Sequence, residues 1–123
     1  MSNENVFIAG HVLFLASEAL KYKNMNQDAI FGETLHEVDP QTGQYSFRVV
    51  HKTAKQKYDE LTGDISAKLH ALNSSDSEEV WQKINEFTEL KPYCNDLQQY
   101  ERMIEAKNIV LDVFSQSDDL LNN

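Results

Sequence analysis

The sequence predicts a mainly α-helical fold of the α+β class, with about four helices packed as a small bundle and one β-hairpin, at about residues 31–50, inserted between helix 1 and helix 2. Apolar residues recur every three or four positions in four separate stretches, which is the period of an amphipathic helix. Between the first two stretches the period changes, and a turn containing proline and glycine separates two segments typical of strands. The chain has 123 residues, 41% of them hydrophobic, so we expect a single domain over residues 1–123 with its own core.

Helix 1 is predicted over residues 5–22, the most apolar stretch of the chain. Its Leu, Ala and Glu residues favour a helix, and the stretch lacks the alternation of a strand. Even its most polar sector contains two phenylalanines, Phe7 and Phe14, next to His11 and Glu18. A helix that is apolar on nearly all sides must be surrounded. We therefore expect either a central core helix under the hairpin or a subunit interface at the Phe7/Phe14 sector, since aromatic residues are enriched at interfaces.

The apolar character of helix 1 does not indicate a membrane segment. A signal peptide needs a positively charged start, and here residues 1–5 carry only Glu4. His11 and Glu18 interrupt the apolar run, which is also too short to span a bilayer. The single cysteine, Cys94, cannot form an internal disulfide, which fits a reducing compartment. We therefore expect a cytoplasmic protein without a membrane partner.

The hairpin prediction depends on its turn. Pro40 presets φ for a turn that begins at Asp39, and Gly43 can adopt the positive φ that ends it. If Asp39 pairs with Gln44, Val38 lies opposite Tyr45 and the strand residues alternate between two faces. One face carries Val38, Tyr45, Phe47 and Val49, and the other carries Glu37, Ser46 and Arg48. We expect a hairpin face to help the other helices cover one side of helix 1.

Three further helices follow the hairpin. Ser75 with Glu78 matches a capping box that opens helix 3, and Asn95 with Gln98 suggests the cap of helix 4. We expect residues 115–123 to form a frayed acidic tail. The apolar stripe of helix 2 is Ala54, Tyr58, Leu61, Ile65, Leu69 and Leu72, and that of helix 4 is Leu97, Tyr100, Ile104, Leu111 and Phe114.

Negative charge is concentrated in the second half of the chain. The net charge is −9, which disfavours direct binding to nucleic acid or to anionic lipid. Residues 74–123 hold eleven acidic and four basic residues, a net charge of −7. These acidic helix faces predict either a surface that only aids solubility or a docking face for a basic protein, such as a nuclease toxin, a DNA-binding regulator or a nucleic-acid enzyme. The docking residues would be Glu101, Glu105 and Asp112 in helix 4 and Glu79 and Glu86 in helix 3.

Catalytic chemistry has little support in the sequence. Glu33 and His36 match half of a di-iron motif, but a second copy is missing, and their odd spacing on a strand places them on opposite faces. The histidines do not stand at metal-ligand spacing, and the four glycines form no phosphate-binding loop. We therefore assign no catalytic residue, no metal and no cofactor. If the chain is an enzyme, the nearest site candidates are His36, Tyr45, Arg48 and His51.

These observations predict a small acidic cytoplasmic module for protein–protein interaction, such as an inhibitor, an immunity protein, an adaptor or a regulatory protein. It would act by occupying a partner's surface rather than by catalysis. We also expect a homodimer through helix 1, with Phe7, His11, Phe14 and Glu18 at the interface. The alternative hypothesis is a small-molecule- or metal-dependent enzyme of a helical fold, with a site near the hairpin histidines.

Overall fold

The computed structural model describes the backbone of residues 3–89 and 97–122 and the side chains of residues 4–89 and 100–115. These residues form four helices and a two-stranded antiparallel hairpin between helix 1 and helix 2, which confirms the predicted fold class. The elements in chain order are α1 (Asn3–Lys23), β1 (Ile30–Val38), β2 (Tyr45–Thr53), α2 (Ala54–His70), α3 (Ser74–Glu89) and α4 (Leu97–Asn122).

The core lies around α1, which packs against α2, α3 and α4. Val12 is fully buried along α1, and the fully buried Ala9 and Ala16 let the neighbouring helices approach closely. Each buried Val or Ile side chain contributes roughly 1.5–3 kcal/mol to folding, so this cluster is the main source of stability. Its members are Ala9, Val12, Leu15, Ala16, Ile65, Leu69, Val80, Ile84, Ala106, Ile109, Val110 and Val113.

The buried face of α4 is rotated from the predicted stripe. Ala106, Ile109 and Val110 are buried, whereas Leu111 is 41% exposed. The expectation for Leu111 was therefore wrong, because apolar residues lie on more than one side of α4 and the side that carries Ala106, Ile109 and Val110 is the one buried in the core. Asn95 lies outside the described residues, and the frayed tail over residues 115–123 stays a prediction.

Two helix caps involve residues that the sequence patterns did not single out. Thr53 caps α2, because its hydroxyl accepts a hydrogen bond from the Gln56 backbone N–H at 3.1 Å and the Gln56 side chain accepts from the Thr53 N–H at 2.8 Å. Asn73 precedes α3, and its side-chain oxygen accepts from the Asp76 N–H at 2.8 Å. The cap predicted at Ser75 was wrong, since Asn is as good a cap as Ser and lies two residues earlier.

The hairpin has the predicted turn and the predicted register. Asp39 donates its N–H to the Gln44 carbonyl at 2.9 Å, Gly43 has φ of 72°, and Val38 lies opposite Tyr45. The hairpin contacts helix 1 through the face that carries Phe31, which meets Tyr22, and not through the face that carries Tyr45. Tyr45 is 57% exposed.

Candidate interaction surface

Among the described residues, the largest group of exposed large apolar side chains lies on one face of the hairpin, which we call the outer face. Five large side chains share it, and each is between 54% and 68% exposed. They belong to one face because paired residues on antiparallel strands point to the same side. These five residues are Ile30, Val38, Tyr45, Phe47 and Val49.

The outer face carries no Asp, Glu, Lys or Arg. Its remaining positions are Gly32, Thr34, His36, His51 and Thr53. The face therefore lacks permanently charged residues along its length, and its polar groups are neutral or titratable.

The structure brings some of the enzyme candidates together and separates others. The rings of His36 and Tyr45 stack with centroids 5.6 Å apart, and the Tyr45 hydroxyl and His36 Nδ1 share a hydrogen bond. His51 lies on the same face. Arg48 lies on the opposite face, where its Nε donates to Glu37 Oε1 at 3.1 Å. The four residues therefore do not converge on one point, as a catalytic site requires.

The opposite, inner face holds the hairpin to α2 through ion pairs. The Glu33 carboxylate is 2.8 Å from Lys57 Nζ and 3.0 Å from Lys52 Nζ, and Lys52 is also 2.7 Å from Glu60. Hydrogen bonds from Lys57 and then Lys52 lower the pKa of the Glu33 carboxyl below its ordinary value. In turn, Glu33 raises the pKa of Lys57, and Glu60 followed by Glu33 raises the pKa of Lys52. All three groups are therefore charged at neutral pH.

These ion pairs also bear on the metal hypothesis. Glu33 and His36 lie on opposite hairpin faces, as their spacing predicts. The Glu33 carboxylate contacts two ammonium groups, so its oxygens are not directed toward a shared cation. Within the side chains that the structure describes, His, Cys, Asp and Glu form no group of three that could hold a metal ion. Cys94 lies outside those residues.

Backbone and aromatic contacts fix the base of the hairpin. Ala54 donates its N–H to the Ala29 carbonyl at 2.8 Å, which ties the start of α2 to the chain before β1. Phe31, on the inner face, meets Tyr22 of α1 edge-to-face with centroids 5.4 Å apart. Because the inner face makes these contacts, the outer face is turned toward solvent.

The Phe7/Phe14 sector of α1 is a second exposed apolar surface. Phe7 is 74% exposed and Phe14 is 60% exposed, which agrees with the expectation that the chain leaves this sector uncovered. His11 and Glu18 are half-buried beside them, and Glu18 pairs with Lys21 at 3.2 Å. The homodimer predicted through this sector stays a prediction.

Three of the acidic residues predicted to dock a partner lie on α4, and their docking role stays a prediction. Glu101, Glu105 and Asp112 are all exposed on α4. Asp112 also lies near α2, because its charge adds to the effect of burial in raising the pKa of Tyr58. These three side chains form an exposed row, which we call the α4 acidic row.

The α3 acidic residues differ from each other. Glu86 is exposed and pairs with Lys83 at 3.2 Å. Glu79 is half-buried, and its Oε2 accepts a hydrogen bond at 3.1 Å from the buried Asn5 of α1, which also donates to Asp76 at 3.0 Å. The placement of Glu79 in a solvent-facing row was therefore wrong, because it joins α3 to α1.

The sequence pattern had grouped four of the five large residues on the outer face, Val38, Tyr45, Phe47 and Val49. It had not included Ile30. Alternation along the strands identified the grouping, but both faces of the hairpin carry apolar residues, and Phe31, Leu35 and Val50 occupy the inner one. Pattern alone therefore could not indicate which face would remain exposed.

Comparison with known proteins adds no assignment. No family model matches the chain, and no curated protein or solved structure is significantly similar to it. In the part of the chain that the structure describes, no helix is both long and apolar enough to cross a membrane. The function must therefore be inferred from the surfaces described above.

Proposed function

We propose that this protein is an interaction module that acts by occupying a partner's surface, and that the outer face of the hairpin is its main binding surface. The observation that carries the proposal is the exposure of five large apolar side chains on one strand face. Apolar patches of more than a few hundred Å² are uncommon on monomeric proteins and mark binding sites. Covering one such side chain contributes roughly 1.5–3 kcal/mol.

The rest of the molecule supports binding rather than catalysis. The hairpin is held by ion pairs and by the contact of Phe31 with Tyr22, so its outer face is presented on a supported element. A preorganised surface loses less conformational entropy on binding than a flexible one. Inhibitors, immunity proteins, adaptors and regulatory proteins act in this way, and the single cysteine supports a cytoplasmic location.

The α4 acidic row supports a second binding surface, which would bind a basic partner. Exposed carboxylates attract a positively charged protein and accelerate its association. We therefore propose that Glu101, Glu105 and Asp112 steer such a partner toward α4, separately from the apolar contact at the outer face.

Capture from a native lysate tests the proposal. Immobilised wild-type protein should retain a stoichiometric partner, identified by mass spectrometry and rebuilt from purified components. Phe47→Asp should abolish this retention, because it places a charge in the centre of the apolar face. Leu111→Asp is the matched control, since Leu111 is an exposed apolar residue outside the hairpin, and retention should persist.

Two results would contradict the proposal. One is equal retention by the wild type and by Phe47→Asp, which would mean that the outer face does not bind. The other is copurification of a cofactor or metal with turnover of a small molecule that depends on His36, which would favour the enzyme hypothesis.

A further inference from the structure

We infer that the outer face of the hairpin binds the outer face of a second copy of this chain, which makes the protein a homodimer joined by its hairpins. This inference rests on the proposed function, because it names the occupant of the same surface. It follows from the area, the charge and the strand geometry of that surface.

The area of the outer face matches what a stable dimer needs. From the exposed fractions of its five large side chains, the face offers on the order of 600 Å² of apolar surface per copy. The polar positions between them, which include Thr34, His36 and His51, bring the total close to the roughly 800 Å² per partner of a standard interface. A second copy contributes the same area, so one symmetric contact suffices.

Charge favours a second copy over a charged partner on this face. The chain carries a net charge of −9, so two copies repel each other wherever acidic surfaces meet. The outer face lacks permanently charged residues, and two such faces can meet without burying a charge. The nearby charges of Glu33 and Glu37 lie on the inner face and are paired with Lys52, Lys57 and Arg48 of the same chain. A basic or acidic partner would find no countercharge on the outer face.

Strand geometry supports a face-to-face arrangement. A two-stranded hairpin is marginally stable alone, and sheets that pack face to face lie about 10 Å apart with their side chains interdigitated. Phe47 and Val49 lie in the middle of β2, between Val38 at the tip and Ile30 at the base. A two-fold axis through the hairpin would place the same apolar residues of both copies in one core.

The Phe7/Phe14 sector is a weaker competitor for the same role. Its two phenylalanines expose on the order of 300 Å² per copy, which is about half of the roughly 600 Å² exposed by the five large side chains of the outer face. The Glu18–Lys21 ion pair lies on the same side of α1, so a symmetric contact there would bring charges together. The hairpin therefore provides the larger uncharged surface.

Analytical ultracentrifugation of the purified full chain tests the inference. The wild type should sediment as a dimer at tens of micromolar. Phe47→Asp and, independently, Val49→Lys should each raise the dimer dissociation constant about thirtyfold or more, as expected for a central interface residue. Phe14→Glu is the matched control, because it adds a charge at a similarly exposed phenylalanine of α1, and it should leave the dissociation constant within about threefold. Circular dichroism should show native helix content in all three variants.

Several results would overturn the inference. They are a monomeric wild type at these concentrations, a dimer that Phe14→Glu dissociates as strongly as Phe47→Asp, and a dimer that neither hairpin variant weakens. The capture experiment distinguishes this failure from that of the proposed function. If the wild type is a monomer that still retains another protein through Phe47, only the homodimer is refuted. If it is a monomer without any Phe47-dependent partner, both the homodimer and the proposed binding function of the outer face are refuted.

Discussion

At the scale of single residues, Gly43 determines the backbone of the hairpin turn. Its φ of 72° lies in the left-handed region, and its N–H donates to the Asp39 carbonyl at 2.8 Å. The Asp39 side chain also accepts a hydrogen bond from the Gln41 N–H at 2.8 Å, which further stabilises the turn. A Cβ at position 43 would meet no atom within 4 Å, so only backbone strain opposes a larger residue there.

We predict that Gly43→Val destabilises the hairpin by about 1–2 kcal/mol, because a β-branched residue resists positive φ. Hydrogen exchange of the β1 and β2 amides is the most direct measurement, accompanied by the melting temperature. Gln41→Val is the matched control, since this exposed turn residue does not have positive φ. Equal protection of the hairpin amides in Gly43→Val and wild type would refute the importance of the turn conformation.

At the scale of elements, the ion pairs of Glu33 orient the hairpin on α2. The side chains of Lys57 and Lys52 are only 17% and 25% exposed, so these pairs are better shielded from solvent than the pair between Arg48 and Glu37. Shielded pairs are screened less by salt and solvent than exposed ones. The orientation of the hairpin is therefore sensitive to the charge of Glu33.

We predict that acid loosens the hairpin from α2. The folded pKa of Glu33 lies below its unfolded value of 4.5, so its stabilising effect is complete above about pH 4.5 and is lost as the pH falls through the folded pKa. Glu33→Gln should therefore weaken hairpin protection at pH 7, and its difference from wild type should shrink as the pH falls below 4.5. Hydrogen exchange over this range provides the measurement.

Glu37→Gln is the control for this pH dependence, because Glu37 lies on the same strand face but pairs only with the exposed Arg48 among the described contacts. It should change hairpin protection little at either pH. Equal hairpin protection in Glu33→Gln and wild type at pH 7 would show that the Glu33 charge does not hold the hairpin.

At the scale of the whole molecule, charged and apolar surfaces lie on different elements. The hairpin presents the uncharged outer face, whereas α4 presents the exposed carboxylates of Glu101, Glu105 and Asp112. An uncharged surface can bind a second copy, and an acidic one favours a basic partner. The two surfaces can therefore be tested separately.

We predict that changing Glu101 and Glu105 to Gln and Asp112 to Asn leaves the fold intact, since all three side chains are exposed. Association with a basic partner identified by capture should slow and become less dependent on salt. Stopped-flow kinetics at several salt concentrations would measure both effects.

The control for the α4 acidic row makes the same change of charge elsewhere, at the exposed Asp64, Glu78 and Glu89. It should slow association less than the α4 variant. An equal effect of both variants would mean that net charge, and not the α4 acidic row, accelerates binding.

Much of the fold could be predicted because the decisive interactions are local. The register of the hairpin follows from Asp39 and Gly43, which are four residues apart. The helices follow from apolar spacing within one or two turns. A helical wheel of α1 places Phe7 and Val12 on opposite sides, which agrees with the exposure of Phe7 and the burial of Val12. Glu79 was misplaced because its partner, Asn5, is 74 residues away in the sequence.

The helices, the hairpin, its register and the two sets of residues on its faces follow from local patterns in the sequence. Tertiary contacts select the face that remains exposed. Both faces are partly apolar, so the hydrophobic effect does not choose between them locally. The choice depends on contacts between distant segments, Glu33 with Lys57 and Tyr22 with Phe31, and these contacts turn Phe47 and its neighbours toward solvent.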